Sequence, residues 1–278
     1  MKVVTSLSDL RLARAELPGP VGFVPTMGFL HTGHISLVQA ARGQCASVAA
    51  SIFVNPTQFG PTEDLSRYPR NLPRDLEMLE AAGVALVWTP TPESMYPPGY
   101  QTWVEVQDLT KGLEGGLRPG HFRGVTTVVT KLFNAIQPDR AYFGQKDAQQ
   151  AAVIRRMTLD LDLAIQIVVC PTAREADGLA MSSRNTYLDP AERKAAPVLF
   201  QALSAAQAAW QTGERSADTL RRIVQEMIAS EPLVRLQYVS CADYDTLEEL
   251  EQVHTRALLS MAVQLGSTRL IDNVVIGG

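Results

Sequence analysis

Cysteine is scarce in this chain: three in 278 residues (Cys45, Cys170 and Cys241), far apart and odd in number. That excludes a disulfide framework and any cysteine-based metal spacing, and it reads as free thiols in a reducing compartment. Positive charge is not in excess either. The 25 Lys and Arg against 29 Asp and Glu leave a net charge of -4, so nothing is available to neutralise a polynucleotide backbone and no nucleic-acid partner is expected. No apolar run approaches the ~18 residues that would cross a bilayer. Met1-Lys2-Val3-Val4-Thr5 leads into a charged segment rather than the apolar core of a signal peptide. A cytoplasmic protein without a membrane partner is the expectation. Neither Gly-x-x-x-x-Gly-Lys-Ser/Thr nor Gly-x-Gly-x-x-Gly occurs, so neither a P-loop nor a standard dinucleotide fold is indicated. Repeats, low-complexity tracts and acidic clusters are absent as well, and no metal ligand is expected among the side chains.

Histidine is nearly as rare, and its placement is informative. Two of the four histidines fall in Pro25-Thr26-Met27-Gly28-Phe29-Leu30-His31-Thr32-Gly33-His34. The apolar Val21-Gly22-Phe23-Val24 before it reads as a strand, and Ile35 to Arg42 after it as a helix. The piece is therefore strand, tight turn, helix, with two imidazoles at the helix mouth. Free backbone N–H groups and the positive end of the dipole make such a mouth an anion site. The alternative is a pair of ordinary polar turn residues. The glycine between the histidines, which lets backbone approach a ligand, favours the anion site.

With 46% apolar residues the chain can build a full core. A first amphipathic helix is expected over 8–16, ended by Pro18-Gly19-Pro20. Ser47 to Val54 is the near-continuous apolar run of a strand covered on both faces, and it ends in Asn55-Pro56-Thr57-Gln58-Phe59. A helix over 75–82, a strand over 84–88, an edge strand over 102–106, a helix over 125–136, a strand over 140–144, a helix over 147–157 and a strand over 165–170 complete the first part. The glycine-rich 112–124 stretch reads as a mobile surface loop or a gate over a pocket. Strands alternating with helices predict an α/β fold with a doubly wound parallel sheet, in which ligands gather at the carboxyl ends of strands. After Thr172 the pattern changes. Helices over 189–212 and 217–230, a strand over 234–243, a short helix over 246–250 and a strand over 256–265 predict a smaller α+β domain. The expected domains are 1–172 and 173–278.

Three segments carry cations, hydroxyls or backbone donors suited to a nucleoside triphosphate: His31 to His34, Gly144 to Asp147, and Met181 to Arg184. At these residues a resemblance becomes specific. The histidine segment, Phe53-Val54-Asn55-Pro56-Thr57-Gln58-Phe59, Arg118-Pro119-Gly120-His121-Phe122-Arg123-Gly124-Val125, Tyr142-Phe143-Gly144-Gln145-Lys146-Asp147-Ala148-Gln149-Gln150, Arg174 to Asn185, and Arg269-Leu270-Ile271-Asp272-Asn273 stand in the order found in the pantoate–β-alanine ligase family. The His-x-Gly-His element alone resembles only the wider nucleotidyltransferase superfamily.

The resemblance implies a Rossmann-like fold of the His-x-Gly-His nucleotidyltransferase type, with a C-terminal lid domain. It implies ATP-dependent joining of (R)-pantoate and β-alanine through pantoyl adenylate, with Mg²⁺ held mainly by phosphates and water, and a homodimer. It assigns ATP contacts to Met27, Gly28, Phe29, Leu30, His31, Thr32, Gly33, His34, Gly144, Gln145, Lys146, Asp147, Ala173, Met181, Ser182, Ser183 and Arg184. His31, His34 and Lys146 are its catalytic groups, with His34 the proton donor. Gln58 and Gln150 would take pantoate and β-alanine, and Pro25, Met27, Phe53, Val128, Val129 and Phe143 are candidates for an apolar wall. Two rival readings remain: an adenylyltransferase that leaves AMP on its product, and a non-catalytic nucleotide sensor.

Overall fold

Short runs of Val, Ala and Ile joined by amphipathic helices have one economical solution, a parallel sheet with helices on both faces. The computed structural model, which describes residues 1–61 and 63–277, has that solution in the first of two units, Met1–Gly144 with Gln149–Pro171. Its strands are β1 (Lys2–Val4), β2 (Val21–Thr26), β3 (Ser47–Ile52), β4 (Leu86–Trp88), β5 (Arg140–Gly144) and β6 (Gln166–Cys170). Every pairing among them is parallel, in the order β1-β4-β3-β2-β5-β6. Its helices are α1 (Leu7–Ala15), α2 (Thr32–Arg42), α3 (Leu72–Ala81), α4 (Pro92–Met95), α5 (Leu113–Leu117), α6 (His121–Ile136) and α7 (Ala148–Asp160).

Alternate residues of the central strands feed two cores. Phe23 and Ala49 join a cluster with Leu10, Leu132 and Ile154, while Val24 and Ala50 join Val38, Ala41 and Leu79. The order of winding reverses at β2, which pairs with β3 on one side and β5 on the other. A ligand crevice is expected beyond the carboxyl ends of the strands at such a reversal. The carboxyl end of β2 leads into the histidine turn, and that of β5 into Gly144.

The second unit is Gln145–Ala148 with Thr172–Gly278. The turn carrying Lys146 thus groups with it. An antiparallel sheet of β7 (Val234–Asp243), β8 (Ala257–Leu265) and β9 (Thr268–Ile276) packs on helices α8 (Pro190–Ala195), α9 (Val198–Gln211) and α10 (Ala217–Ala229).

Several expectations are corrected. The 102–106 stretch forms no strand; the Val104 N–H donates instead to Thr127 Oγ1 and its carbonyl accepts from Thr126 Oγ1. The glycine-rich stretch is largely helical, comprising α5 and the first turn of α6, and Gln149 anchors it through Glu114 N, Leu109 O and Gly112 O. Pro197 divides the helix expected over 189–212 into α8 and α9, as a missing N–H dictates. The 246–250 segment is a turn whose Glu249 bridges to Ala242. The three-residue β1 was not anticipated.

Candidate active site

The histidine turn is built to hold an unusual backbone. Gly28 and Phe29 both have positive φ, 82° and 49°, a region that costs energy for a side chain as large as Phe. Asp75, at the start of α3, offsets that cost. Its buried carboxylate accepts from the Phe29 and Leu30 N–H groups, each at 2.7 Å. Arg74 donates to Leu30 O at 3.0 Å and its guanidinium lies 5.5 Å from the Phe29 ring centre. The chain then enters α2 with His31 as N-cap and His34 at the third helical position.

The two imidazoles form a reciprocal capping box. His31 Nδ1 accepts from Gly33 N at 3.2 Å, and His34 Nδ1 accepts from His31 N at 3.3 Å. A ring nitrogen that accepts from backbone carries no proton, so each neutral ring carries its hydrogen on Nε2. The rings lie 4.1 Å apart between centres. The helix mouth therefore adds two Nε2–H donors to its own dipole, which suits phosphate oxygens.

Gln58 lies after β3 in a 3₁₀ turn, Pro56–Gln58, capped by Asn55. Its amide orientation follows from a chain of unambiguous partners. Asn55 Oδ1 accepts from Thr57 N at 3.4 Å and from Tyr96 OH at 2.8 Å, while Asn55 Nδ2 donates to Gly124 O at 3.1 Å. The same Nδ2 donates to Gln58 Oε1 at 3.1 Å, which turns Gln58 Nε2 toward Met27 Sδ, 3.1 Å away. Sulfur is a weak acceptor, so the Gln58 amino group is a donor held ready for a stronger one. Burial pushes the Tyr96 hydroxyl up to about 12, so it stays protonated and keeps donating to Asn55.

The Gln58 backbone is held as tightly. His121 Nδ1 donates to Gln58 O at 2.8 Å, and His121 Nε2 accepts from Arg118 Nη1 at 3.1 Å. Burial first, and the Arg118 charge second, lower His121 to about 4, so the ring is neutral at pH 7. Arg118 forks onto Glu63 with two 2.7 Å bonds. Burial works to raise the Glu63 carboxyl, but Arg118 outweighs it and holds it below the usual carboxylate range. Gly124 allows this close packing: a Cβ there would stand 2.4 Å from Thr57 O. Phe53, Val128, Val129 and Phe143 share one apolar cluster, while Pro25 and Met27 are half-buried. Gln150 is half-buried on α7; its neighbour Gln149 is the one that braces the 109–114 segment.

In the second unit, Lys146 follows Gln145 in a 3₁₀ turn, with its ammonium 3.6 Å from Asp147. Ala173 O accepts from Met181 N at 2.9 Å and Arg174 bridges to Ala180. This small hairpin delivers Met181 to Ser182, whose hydroxyl caps the turn by accepting from Arg184 N at 3.2 Å. Ser183 is buried and Arg184 half-buried. Among the described residues, no group of three or more His, Cys, Asp or Glu could hold a metal, and no helix is long and apolar enough to cross a membrane.

Asn55, Asp75, Tyr96 and His121 were not singled out as site residues from sequence. In sequence Asp75 marks only the start of a helix, and its partners lie 45 and 46 positions away. The polar run after β3 was the one available signal for Asn55.

Comparison with known proteins gives a consistent result. The family model described as pantoate-beta-alanine ligase matches residues 2–275. The pantothenate synthetase of Roseiflexus sp. (strain RS-1) is 60% identical over 276 residues, 99% of each chain. That of Herpetosiphon aurantiacus is 56% identical over 277 residues, 99% of this chain and 100% of the relative. A crystal structure of pantothenate synthetase from Thermus thermophilus superposes with a TM-score of 0.96 at 47% identity, covering 100% of both chains. Pantoate-beta-alanine ligase from Francisella tularensis, crystallised with beta-gamma ATP and beta-alanine, gives a TM-score of 0.82 at 33% identity over 99% of this chain and 97% of that one.

Proposed function

This chain belongs to the pantoate–β-alanine ligase family, and on that premise we propose how its residues divide the work of joining (R)-pantoate to β-alanine at the expense of ATP. A free carboxylate is a poor acyl donor because its leaving group would be oxide. In the first step a pantoate carboxylate oxygen attacks the α-phosphorus of ATP, the bond to the bridging oxygen breaks, and pyrophosphate leaves. In the second, the β-alanine amine attacks the acyl carbon of pantoyl adenylate, the bond to the phosphate oxygen breaks, AMP leaves, and the nitrogen gives up its proton.

The first step needs in-line positioning and charge neutralisation more than covalent help. His31 and His34 would donate Nε2–H hydrogen bonds to triphosphate oxygens, with His34 stabilising the charge that grows on the departing pyrophosphate without giving up its proton. Lys146 would neutralise charge growing on the bridging and non-bridging oxygens. Ser182, Ser183 and Arg184 would bind the β,γ end, and Gly144, Asp147 and the backbone near Ala173 the nucleoside. Residues 1–172 would carry the ATP and pantoate sites and residues 173–278 act as a lid. Mg²⁺ would enter with the nucleotide, carried by phosphate oxygens and water.

Gln58 and Gln150 would take pantoate. Neutral amides suit the task, because a cation fixed on that carboxylate would blunt its attack. The observation that carries this reading is the capping box of His31 and His34, which commits both Nδ1 atoms to backbone and leaves each ring its proton on Nε2. The protein would act as a cytoplasmic homodimer. Assay of AMP and pantothenate with each substrate omitted in turn tests the activity. Equal yields of both, only when ATP, pantoate and β-alanine are all present, are expected. Pyrophosphate release without free AMP would indicate the adenylyltransferase instead, and ATP binding without turnover a sensor.

A further inference from the structure

The Arg269–Asn273 segment belongs to the family pattern, yet none of its side chains has a role in the chemistry above. Resting on the assignment of Lys146 and of Ala173 to Arg184 to ATP, we propose that Asp272-Asn273 on β9 is a positioning pair that ties these two stretches to one rigid strand. Neither residue would touch substrate.

Asn273 holds the lysine turn. It is buried, and its Nδ2 donates to Gln145 O at 3.0 Å and Lys146 O at 2.9 Å. Both amide hydrogens are thereby spent on backbone, so Asn273 Oδ1 is the acceptor for Gln145 Nε2 at 3.0 Å. That in turn makes Gln145 Oε1 the acceptor for Tyr244 OH at 3.1 Å. The backbone on either side of the Lys146 Cα is pinned, and the ammonium can sweep only what the side chain's own rotamers allow.

Asp272 holds the other stretch. Arg174 forks onto it, Nη1 to Oδ2 at 2.6 Å and Nη2 to Oδ1 at 2.9 Å. Arg174 Nη1 also donates to Gly178 O at 3.0 Å, and the guanidinium stacks 4.0 Å from the Phe200 ring centre. The hairpin that leads to Ser182 is therefore fastened at its base and its tip. The two fastenings are coupled, since Asn273 N donates to Asp272 Oδ1 at 2.7 Å and Arg174 Nη2 donates to Asn273 O at 3.2 Å. Two consecutive residues of one strand thus fix the separation of a lysine and a serine-arginine corner that lie more than thirty residues apart in the chain. Misplacement by ~1 Å of a group aimed at a transition state can cost ~10²-fold in rate.

Pantoate-dependent exchange of labelled pyrophosphate into ATP reads the first step alone. In the full-length enzyme, Asn273→Ala is expected to lower the exchange kcat ~10–100-fold, with the pantoate KM within about twofold of wild type. Asn273→Asp, which keeps the size and the acceptor but loses both donors, is expected to match it. Lys146→Ala alone should lower exchange at least ~10²-fold. Adding Asn273→Ala to it should cost no more than about twofold again, because the turn then has no ammonium to aim. Exchange within about threefold of wild type in both Asn273 variants, with Lys146→Ala crippled, overturns the proposal and leaves the ATP assignment standing. Multiplicative losses in the double variant overturn it too, as does loss of the native circular dichroism spectrum in both Asn273 variants, since either assigns the pair to general stability. Full exchange in Lys146→Ala instead removes the assignment on which the proposal rests.

Discussion

Replacing His121 by asparagine converts a buried titrating group into one of fixed charge while leaving a donor for Gln58 O. The wild-type ring sits between that carbonyl and the Arg118 guanidinium, 2.8 and 3.1 Å away. A second proton would have to go on Nε2, where it would face the guanidinium, and it would have to be buried. These effects lower the group from 6.5 to about 4. Between those values the unfolded chain binds a proton that the native ring refuses, so stability rises with pH across the window. The contribution is complete above pH 6.5, falls by ~1.4 kcal/mol per pH unit as acid is added, and is gone below pH 4. Integrated over the window, it amounts to ~3 kcal/mol. Urea unfolding of both proteins from pH 8 to 4 measures it, because carboxylates that do not face the ring cancel in the difference, and Glu63 and Glu114, which do, act on the ring less than its burial and Arg118. The stability advantage of wild type over His121→Asn should be constant above pH 6.5 and shrink by ~3 kcal/mol on going to pH 4. A difference that stays within ~0.5 kcal/mol throughout would refute the ring's placement between carbonyl and guanidinium.

Three further outcomes follow from the site. His34→Ala should cut the overall kcat by at least ~10² with the circular dichroism spectrum unchanged; near-normal turnover would remove the histidine assignment. Gln58→Ala should act chiefly on the pantoate KM, as loss of a ground-state donor does, and an unchanged KM would count against its role. Gly124→Ala would drive a Cβ to 2.4 Å from Thr57 O and 2.7 Å from Gln58 N. Backbone cannot yield as a side chain can, so a loss of ~1–3 kcal/mol in urea unfolding together with a raised pantoate KM is expected; a variant normal in both would contradict that packing.

Local rules made most of the fold legible. The near-continuous apolar strands and their alternation with helices spell out a parallel sheet, and the strand, glycine turn and helix pattern around His31 to His34 spells out a helix mouth. Where local rules failed, a distant partner decided. Val104 alternates with its neighbours like a strand residue, but two threonine hydroxyls of α6 take its backbone groups. Lys2 to Val4 is too short to announce itself and is a strand only because Leu86 to Trp88 lies beside it. The candidate site divides in the same way. Residue types that bear chemistry stood out in the sequence, whereas those that aim them did not. Asp75 reaches back to the Phe29 turn, and Asn55 sets the Gln58 amide through Gly124, 69 positions on. Such contacts exist only once the sheet has brought its loops to one edge.

Pyrophosphate exchange into ATP with pantoate present and β-alanine withheld addresses the central claim most directly. The first step is held to be complete in itself: the histidine turn and the lysine turn activate the carboxylate before any amine arrives. Label should therefore appear in ATP when pantoate is added and β-alanine is not, and vanish when pantoate is left out. Exchange that waits for β-alanine, or that proceeds without pantoate, would contradict the account.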